Sequence, residues 1–195
     1  LDAADAAAAG VAPLEAVFRE DRLLQWKLPK RLREISGLAL TVDGRLLALA
    51  DERGEISEID FRAGALVKRF GIGDPVLAGD FEGIAATDEA VFAVTSGGTL
   101  VRFPEGGNGA HVPYEVFVTG LGDICEIEGL AWEPRRDSLL LACKEVHDGD
   151  GGEVWLFRWE IAAARLEFGG PLRAPGAQMA QALGEAAFNP SGVSV

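Results

Sequence analysis

The chain has 195 residues, the usual length of a single domain, and 48% of them are hydrophobic, which is enough for a packed core. Its 31 acidic and 18 basic residues give a net charge of −13, which repels a phosphate backbone and argues against nucleic acid as a partner. No stretch approaches the roughly 18 consecutive apolar residues of a membrane span. The acidic balance would suit a bound cation or a basic partner, but its simplest interpretation is a solvated surface.

The first part of the chain carries few structural signals. Residues 1–12 are mostly alanine and predict a flexible segment. The apolar run that ends before Pro29 predicts a strand over about 22–28, which in a propeller would complete the last blade. The alanine-rich start lacks the basic region of a signal peptide, while its first residue is Leu rather than Met. The compartment therefore stays open: cytoplasmic as the chain stands, or periplasmic if a leader was trimmed.

One short sequence motif, called the phrase below, recurs through the rest of the chain. It is an acidic or polar residue, a variable residue, a Glu or Ser, a glycine and then an apolar residue. Its glycines lie 46, 46 and 63 residues apart and are Gly37, Gly83, Gly129 and Gly192. A repeat of 40 to 50 residues is typical of propeller blades.

Short apolar runs separated by turn signals such as Asp43-Gly44 follow each phrase and predict strands rather than helices. The predicted units are blade one at 34–70, blade two at 80–118, blade three at 126–168, an insert at 171–187 and the start of blade four at 188–195. Within blade one the predicted strands are 35–40, 46–50, 55–60 and 65–70. Those of blade two are 84–87, 91–95, 99–103 and 114–118, and those of blade three are 130–133, 138–143, 153–159 and 165–168.

The predicted fold class is all-β, a β-propeller of four-stranded blades with about three blades and the start of a fourth. Such a set is an incomplete ring of the six-bladed type. Its exposed edges and faces need more of the same chain or another chain, so self-association through unpaired blade edges is a possible outcome. A short helix over 178–187 is predicted within the insert.

The chain has two cysteines, Cys125 and Cys143, and they form no CxxC pair. Two are too few for a disulfide framework, so we expect buried, small apolar side chains without a disulfide. The predicted blade places them on adjacent strands, where a disulfide is geometrically open to them.

The motifs resemble a known family. The run from Trp26-Lys27-Leu28-Pro29 through the phrases at Glu34, Asp80 and Glu126, together with Asp51-Glu52, is similar to the SdiA-regulated proteins. These are a phytase-like group of bacterial β-propellers that includes calcium-regulated members. The resemblance covers about residues 22–195 and implies a six-bladed or similar ring with a Ca²⁺ site.

The acidic residues of the phrases are the candidate metal ligands. They stand three and one positions before the glycine, on the same side of an extended chain. In a propeller they would meet at one mouth of the channel, and Ca²⁺ suits a cluster of oxygen ligands better than zinc does. The candidates are Asp80, Glu82, Glu126 and Glu128. The competing interpretation is structural, with these carboxylates capping free N–H groups of a neighbouring strand.

Residues at the ends of the predicted second strands would lie near the same mouth. Asp51 and Lys144 are the candidates there for binding a small ligand, and Lys144 is the cation that could meet a phosphate or carboxylate. The alternative is that Lys144 neutralises nearby carboxylates.

Two functions remain from the sequence. The first is a propeller that binds a cation or small molecule at the channel mouth in a binding or signalling role. The alternative is a metal-dependent phosphoesterase of phytase-like type, or an esterase or lactonase, in which Glu82 and Glu128 hold a cation that activates water. The loop at 148–153 does not match the EF-hand pattern, and the sequence has neither a P-loop nor a Gly-x-Ser-x-Gly nucleophile motif.

Overall fold

The computed structural model describes residues 25–147, 153–176 and 192–194. These residues contain fourteen strands in three sheets, together with two short 3₁₀ turns at Lys30–Leu32 and Leu121–Asp123. No helix within the described ranges is long and apolar enough to cross a membrane. Apart from these short turns, the regular structure of the described ranges is nearly all β, as the repeats predict.

Sheet one is a four-stranded antiparallel meander with a fifth strand added at its outer edge. The fifth strand runs parallel to its neighbour β4 and comes from a later part of the chain. The strands of sheet one are β1 (Ile35–Leu40), β2 (Leu46–Ala50), β3 (Glu55–Asp60), β4 (Ala65–Ile72) and β8 (His111–Val112).

Sheets two and three repeat the antiparallel meander. Sheet two contains β5 (Phe81–Ala86), β6 (Val91–Thr95), β7 (Thr99–Phe103) and β9 (Glu115–Val118). Sheet three contains β10 (Cys125–Glu133), β11 (Ser138–Val146), β12 (Glu153–Glu160), β13 (Arg165–Leu166) and β14 (Leu172–Pro175). Both β13 and β14 pair with β12.

The sheets pack face to face through two apolar layers. Side chains alternate between the two faces of β5. Ile84 and Ala86 therefore belong to the layer shared with sheet one, and Ala85 belongs to the layer shared with sheet three. The first strands β1, β5 and β10 lie side by side. This stacking of meanders around their first strands is a propeller arrangement.

Five predicted strands have the observed bounds, namely β1, β2, β3, β6 and β7. The first strands of sheets two and three start earlier than predicted, at Phe81 and Cys125, because the phrases themselves pair with the second strand of their own sheet. Two short strands, β8 and β14, lie in stretches that the sequence assigned to a loop and to the insert.

The expectation of unbonded cysteines is wrong, because Cys125 and Cys143 form a disulfide. Their strands β10 and β11 are paired neighbours, and the Cα atoms lie 5.7 Å apart, within the range a disulfide bridges. Both side chains are buried, as expected.

Some predictions fall partly or wholly outside the described residues. The flexible segment at 1–12 and the helix at 178–187 lie outside them, as does most of the predicted start of blade four. In the predicted strand at about 22–28, residues 25–28 are described and are not in a strand.

Candidate functional site

The glycines of the first three phrases each lie close to the backbone of the next phrase. A Cβ atom added to any of them would come too close to a backbone nitrogen of the next phrase. That nitrogen belongs to the residue directly after the glycine of the next phrase. The three distances are 3.1 Å from Gly37 to Ile84, 2.7 Å from Gly83 to Leu130 and 2.9 Å from Gly129 to Val193. These glycines therefore permit a close approach of the backbone of the next phrase.

Backbone hydrogen bonds join each sheet to the next beside these glycines. Phe81 donates its N–H to the carbonyl of Asp51 at 2.8 Å, and Ile127 donates to the carbonyl of Ser96 at 2.9 Å. The residue that follows the second strand of one sheet is thereby placed against the phrase of the next sheet. This contact brings the Asp51 side chain to the acidic residues before Gly83.

Three carboxylates meet at this junction between sheets one and two. Asp51, Asp80 and Glu82 each offer one oxygen, and the three oxygens lie within 4.8 Å of one another. Asp51 and Glu82 are half-buried, whereas Asp80 is exposed. The Ser96 hydroxyl donates a hydrogen bond of 2.5 Å to Oδ2 of Asp80. We call Asp51, Asp80 and Glu82 the junction cluster.

The junction cluster is electrostatically strained. Burial is the main cause that raises the pKa of the Asp51 carboxyl, and the charge of Asp80 adds to it. Burial also raises the pKa of Glu82 to about 7, with further contributions from the carboxylates of Glu128, Asp80 and Asp51. Oδ1 of Asp51 is buried and has no hydrogen-bond partner within the described part of the chain. Such an atom is costly unless something positive or a donor reaches it.

The other two predicted metal ligands lie beside a lysine. Nζ of Lys144 is 2.6 Å from Oε1 of Glu128 and 3.7 Å from Oε1 of Glu126. The hydrogen bond to Glu128 is the main cause that raises the pKa of Lys144. This placement gives Lys144 the carboxylate partners that a neutralising role requires. Lys144 also acts on Glu82, whose pKa it lowers.

The sequence predictions therefore divide into two groups. Asp80 and Glu82 lie together with Asp51, while Glu126 and Glu128 surround Lys144. Ser96, whose hydroxyl binds Asp80, follows a second strand as Asp51 does, but it is not among the candidate binding residues from the sequence.

Ser36 is the second described residue whose buried side-chain oxygen has no hydrogen-bond partner. It occupies in the first phrase the position that Glu82 occupies in the second. Ser36 and Glu82 also line one small cavity along the first strands, together with the phrase glycines.

Comparison with known proteins gives no match to a protein-family model and no match to a curated protein. Solved structures do match. One is the virginiamycin B lyase of Staphylococcus aureus, with 13% identity and a TM-score of 0.48, where the match covers 80% of this chain and 46% of the lyase. Another is the β-propeller domain of Cps50 (Swd1) from Myceliophteria thermophila, with 13% identity and a TM-score of 0.46, covering 88% and 52%.

A third is the hydrazine synthase of Kuenenia stuttgartiensis, with 16% identity, a TM-score of 0.47 and coverage of 70% and 36%. The chain thus spans between about a third and a half of the length of these three structures. At such identities and TM-scores the similarities carry no argument about activity. The description of the fold rests on the three sheets themselves.

Proposed function

We propose that this chain is a propeller scaffold that binds a hard divalent cation, Ca²⁺, at the junction cluster. The observation that carries the proposal is the buried Oδ1 of Asp51, which has no hydrogen-bond partner among the described residues and belongs to a cluster of three carboxylates. Ca²⁺ takes six to eight oxygen ligands and accepts carboxylates together with water, so the three side chains would supply part of its shell.

The charge of the cluster supports the same proposal. Burial and the charges of neighbouring carboxylates raise the pKa values of Asp51 and Glu82, so the cluster makes ionisation of both groups less favourable. A bound cation would reverse this preference and hold both groups ionised. The donor set contains oxygen alone, which suits Ca²⁺ or Mg²⁺ rather than zinc, and Ca²⁺ accepts less regular ligand geometry than Mg²⁺ does.

The structural alternative is that these carboxylates cap free backbone N–H groups. Within the described ranges the hydrogen bond that reaches a cluster carboxylate comes from the hydroxyl of Ser96 and not from a strand N–H. The backbone N–H groups at the junction instead donate to carbonyls, as Phe81 does to Asp51. The cluster therefore has acceptor capacity left for a cation, which favours binding over capping.

The test is calorimetric titration of chelator-treated protein with Ca²⁺, together with its melting temperature. We expect saturable heat and a rise in melting temperature, since a ligand at about 100 times its Kd stabilises the folded state by about 2.7 kcal/mol. Glu82→Gln and Asp51→Asn should abolish both effects. Glu89→Gln is the matched control, because Glu89 is an exposed carboxylate in the turn after β5.

Absence of heat and of a thermal shift at millimolar Ca²⁺ would contradict the proposal, as would an undiminished response in Glu82→Gln. A phosphomonoesterase or lactonase assay with and without Ca²⁺ separates binding from hydrolysis. Turnover that requires both Ca²⁺ and Glu82 would make the protein a hydrolase.

A further inference from the structure

One position of the repeat carries a different charge in each sheet. The phrase glycine of each first strand pairs with a residue of the second strand, and the position lies two residues after that partner. Counted in this way, it is occupied by Asp51 in sheet one, Ser96 in sheet two and Lys144 in sheet three. We call it the variable position. Its charge changes from negative to neutral to positive along the row of sheets.

The variable position faces the phrase of its own sheet. Asp51 donates its backbone N–H to the carbonyl of Glu34 at 3.0 Å, and Ser96 donates in the same way to the carbonyl of Asp80 at 2.9 Å. The Ser96 side chain also reaches the phrase, since its hydroxyl donates to the Asp80 carboxylate. The residue at this position therefore determines whether the phrase carboxylates meet an acid, a hydroxyl group or an ammonium group.

In sheet three the phrase carboxylates already hold a positive charge. Nζ of Lys144 lies 2.6 Å from Oε1 of Glu128 and 3.7 Å from Oε1 of Glu126. A lysine ammonium is a compact charge with three donors, so Lys144 can serve both carboxylates. Glu82 of the neighbouring phrase is near enough for its charge to raise the pKa of Lys144 as well. One cation is thus shared among three carboxylates, the same number as in the junction cluster.

This ammonium group competes with a divalent ion for the same carboxylates. It is attached to the chain, so its local concentration stays high, and its charge repels a second cation. Specificity for one site commonly depends on such a repulsive element at the competing site. At the junction cluster the variable position is Asp51, which adds an oxygen ligand instead of a competing charge.

We propose that Lys144 is the residue that determines which carboxylates bind the cation. It occupies the carboxylates of Glu126 and Glu128 as an internal cation and directs a divalent ion to the junction cluster. The inference rests on the proposed function for the place of that ion, whereas the role of Lys144 as an internal cation depends on its own contacts. Without the ammonium group, Glu126 and Glu128 supply oxygen ligands for a second divalent ion, which completes its shell with water.

Equilibrium dialysis of chelator-treated protein against millimolar Ca²⁺ counts the ions bound per chain. We expect one ion for the unsubstituted chain and two, a twofold rise, for Lys144→Met, which keeps a long side chain and removes its charge. Lys144→Gln removes the same charge with a polar side chain and should also bind two. Lys144→Arg keeps the charge and should bind one. Circular dichroism checks that each variant is folded.

Two further variants locate the second ion and control for net charge. Glu128→Gln in the Lys144→Met background should return the count to one, because the second ion loses a ligand. Lys68→Met is the matched control, since Lys68 also contacts two carboxylates, Glu58 and Glu105, but lies on the fourth strand of sheet one. It changes the net charge by the same amount and should bind one ion.

The counts distinguish this inference from the proposed function. An equal count in the unsubstituted chain, Lys144→Met and Lys144→Gln would overturn the inference, and a count of one in all three would leave the junction cluster as a site. No ion in the unsubstituted chain and one in Lys144→Met, lost again with Glu128→Gln, would support the role of Lys144 and contradict a site at the junction cluster. An additional ion in Lys68→Met would overturn the inference, because the count would then follow net charge alone.

Discussion

A Gly83→Ala substitution measures how tightly the first strands of sheets two and three are packed. The new methyl group would lie 2.7 Å from the backbone nitrogen of Leu130 and 2.8 Å from its Cβ atom, distances that real Cβ atoms essentially never show. Both obstacles are fixed to the backbone of β10, so relief requires movement of sheet three rather than rotation of a side chain.

The expected cost follows from this geometry. Overpacking a close contact lowers the free energy of unfolding by about 1–3 kcal/mol. Replacing glycine by alanine also reduces the freedom of the unfolded chain, which returns about 0.4–1 kcal/mol where the new residue fits. The steric cost is larger, so Gly83→Ala should lose about 1–2 kcal/mol net. Gly37→Ala, whose nearest contacts are 3.1 Å away, should lose less.

Urea unfolding followed by both tryptophan fluorescence and circular dichroism is the assay, since coincident transitions justify a two-state free energy. An unchanged slope with a lower midpoint identifies a loss of stability. The control is Gly97→Ala, because that glycine has open space around it and a φ outside the left-handed region. If Gly83→Ala and Gly97→Ala unfold at the same urea concentration, the close approach of the strands is refuted.

Three further predictions concern the acidic residues and the disulfide. Between about pH 4.5 and 7 the folded protein binds more protons than the unfolded chain because the pKa of Glu82 is raised to about 7, so stability should fall as pH rises through this window. In Glu82→Gln, the urea midpoint should therefore change less with pH across this window than it does in the unsubstituted chain. Lys144→Met should raise the pKa of Glu82 further, which a carboxyl-resolved NMR titration would detect, since Lys144 lowers it. Reduction of the disulfide should cost about 3 kcal/mol, the value for a loop of this order of length, and unfolding midpoints with reductant measure it. Cys125→Ala/Cys143→Ala should be insensitive to reductant.

Turn chemistry made the ends of β1, β2 and β3 predictable. Asp43-Gly44 stops β1, and Gly44 has a φ of 80°, the conformation that glycine adopts without strain. The start of β5 was not predictable in this way. Phe81 belongs to the strand because it pairs with Thr95 and donates its N–H to the carbonyl of Asp51. The apolar pattern within the phrase does not predict either contact.

The candidate site was predictable in its residue types and less so in its grouping. The repeat placed Asp80 and Glu82 on one side of a strand, which agrees with their common place in the junction cluster. Their partner Asp51 comes from the preceding sheet, and the repeat spacing does not encode which side chains cross between sheets. The disulfide was not predicted for a similar reason. A separation of 18 residues along the chain does not show that the two Cα atoms lie 5.7 Å apart.

The short strand β8 has a consequence for the order in which the protein folds. Gly71 and Gly73 of the β4 edge donate hydrogen bonds to Ala110 and Val112, which follow sheet two's third strand in the chain. During synthesis the ribosome must therefore release residues up to about 112 before the outer edge of sheet one can be completed. Repeat proteins commonly fold by adding one unit to its neighbour. Here the outer edge of sheet one depends on residues that follow β7, so sheet one is completed only after three strands of sheet two have been made.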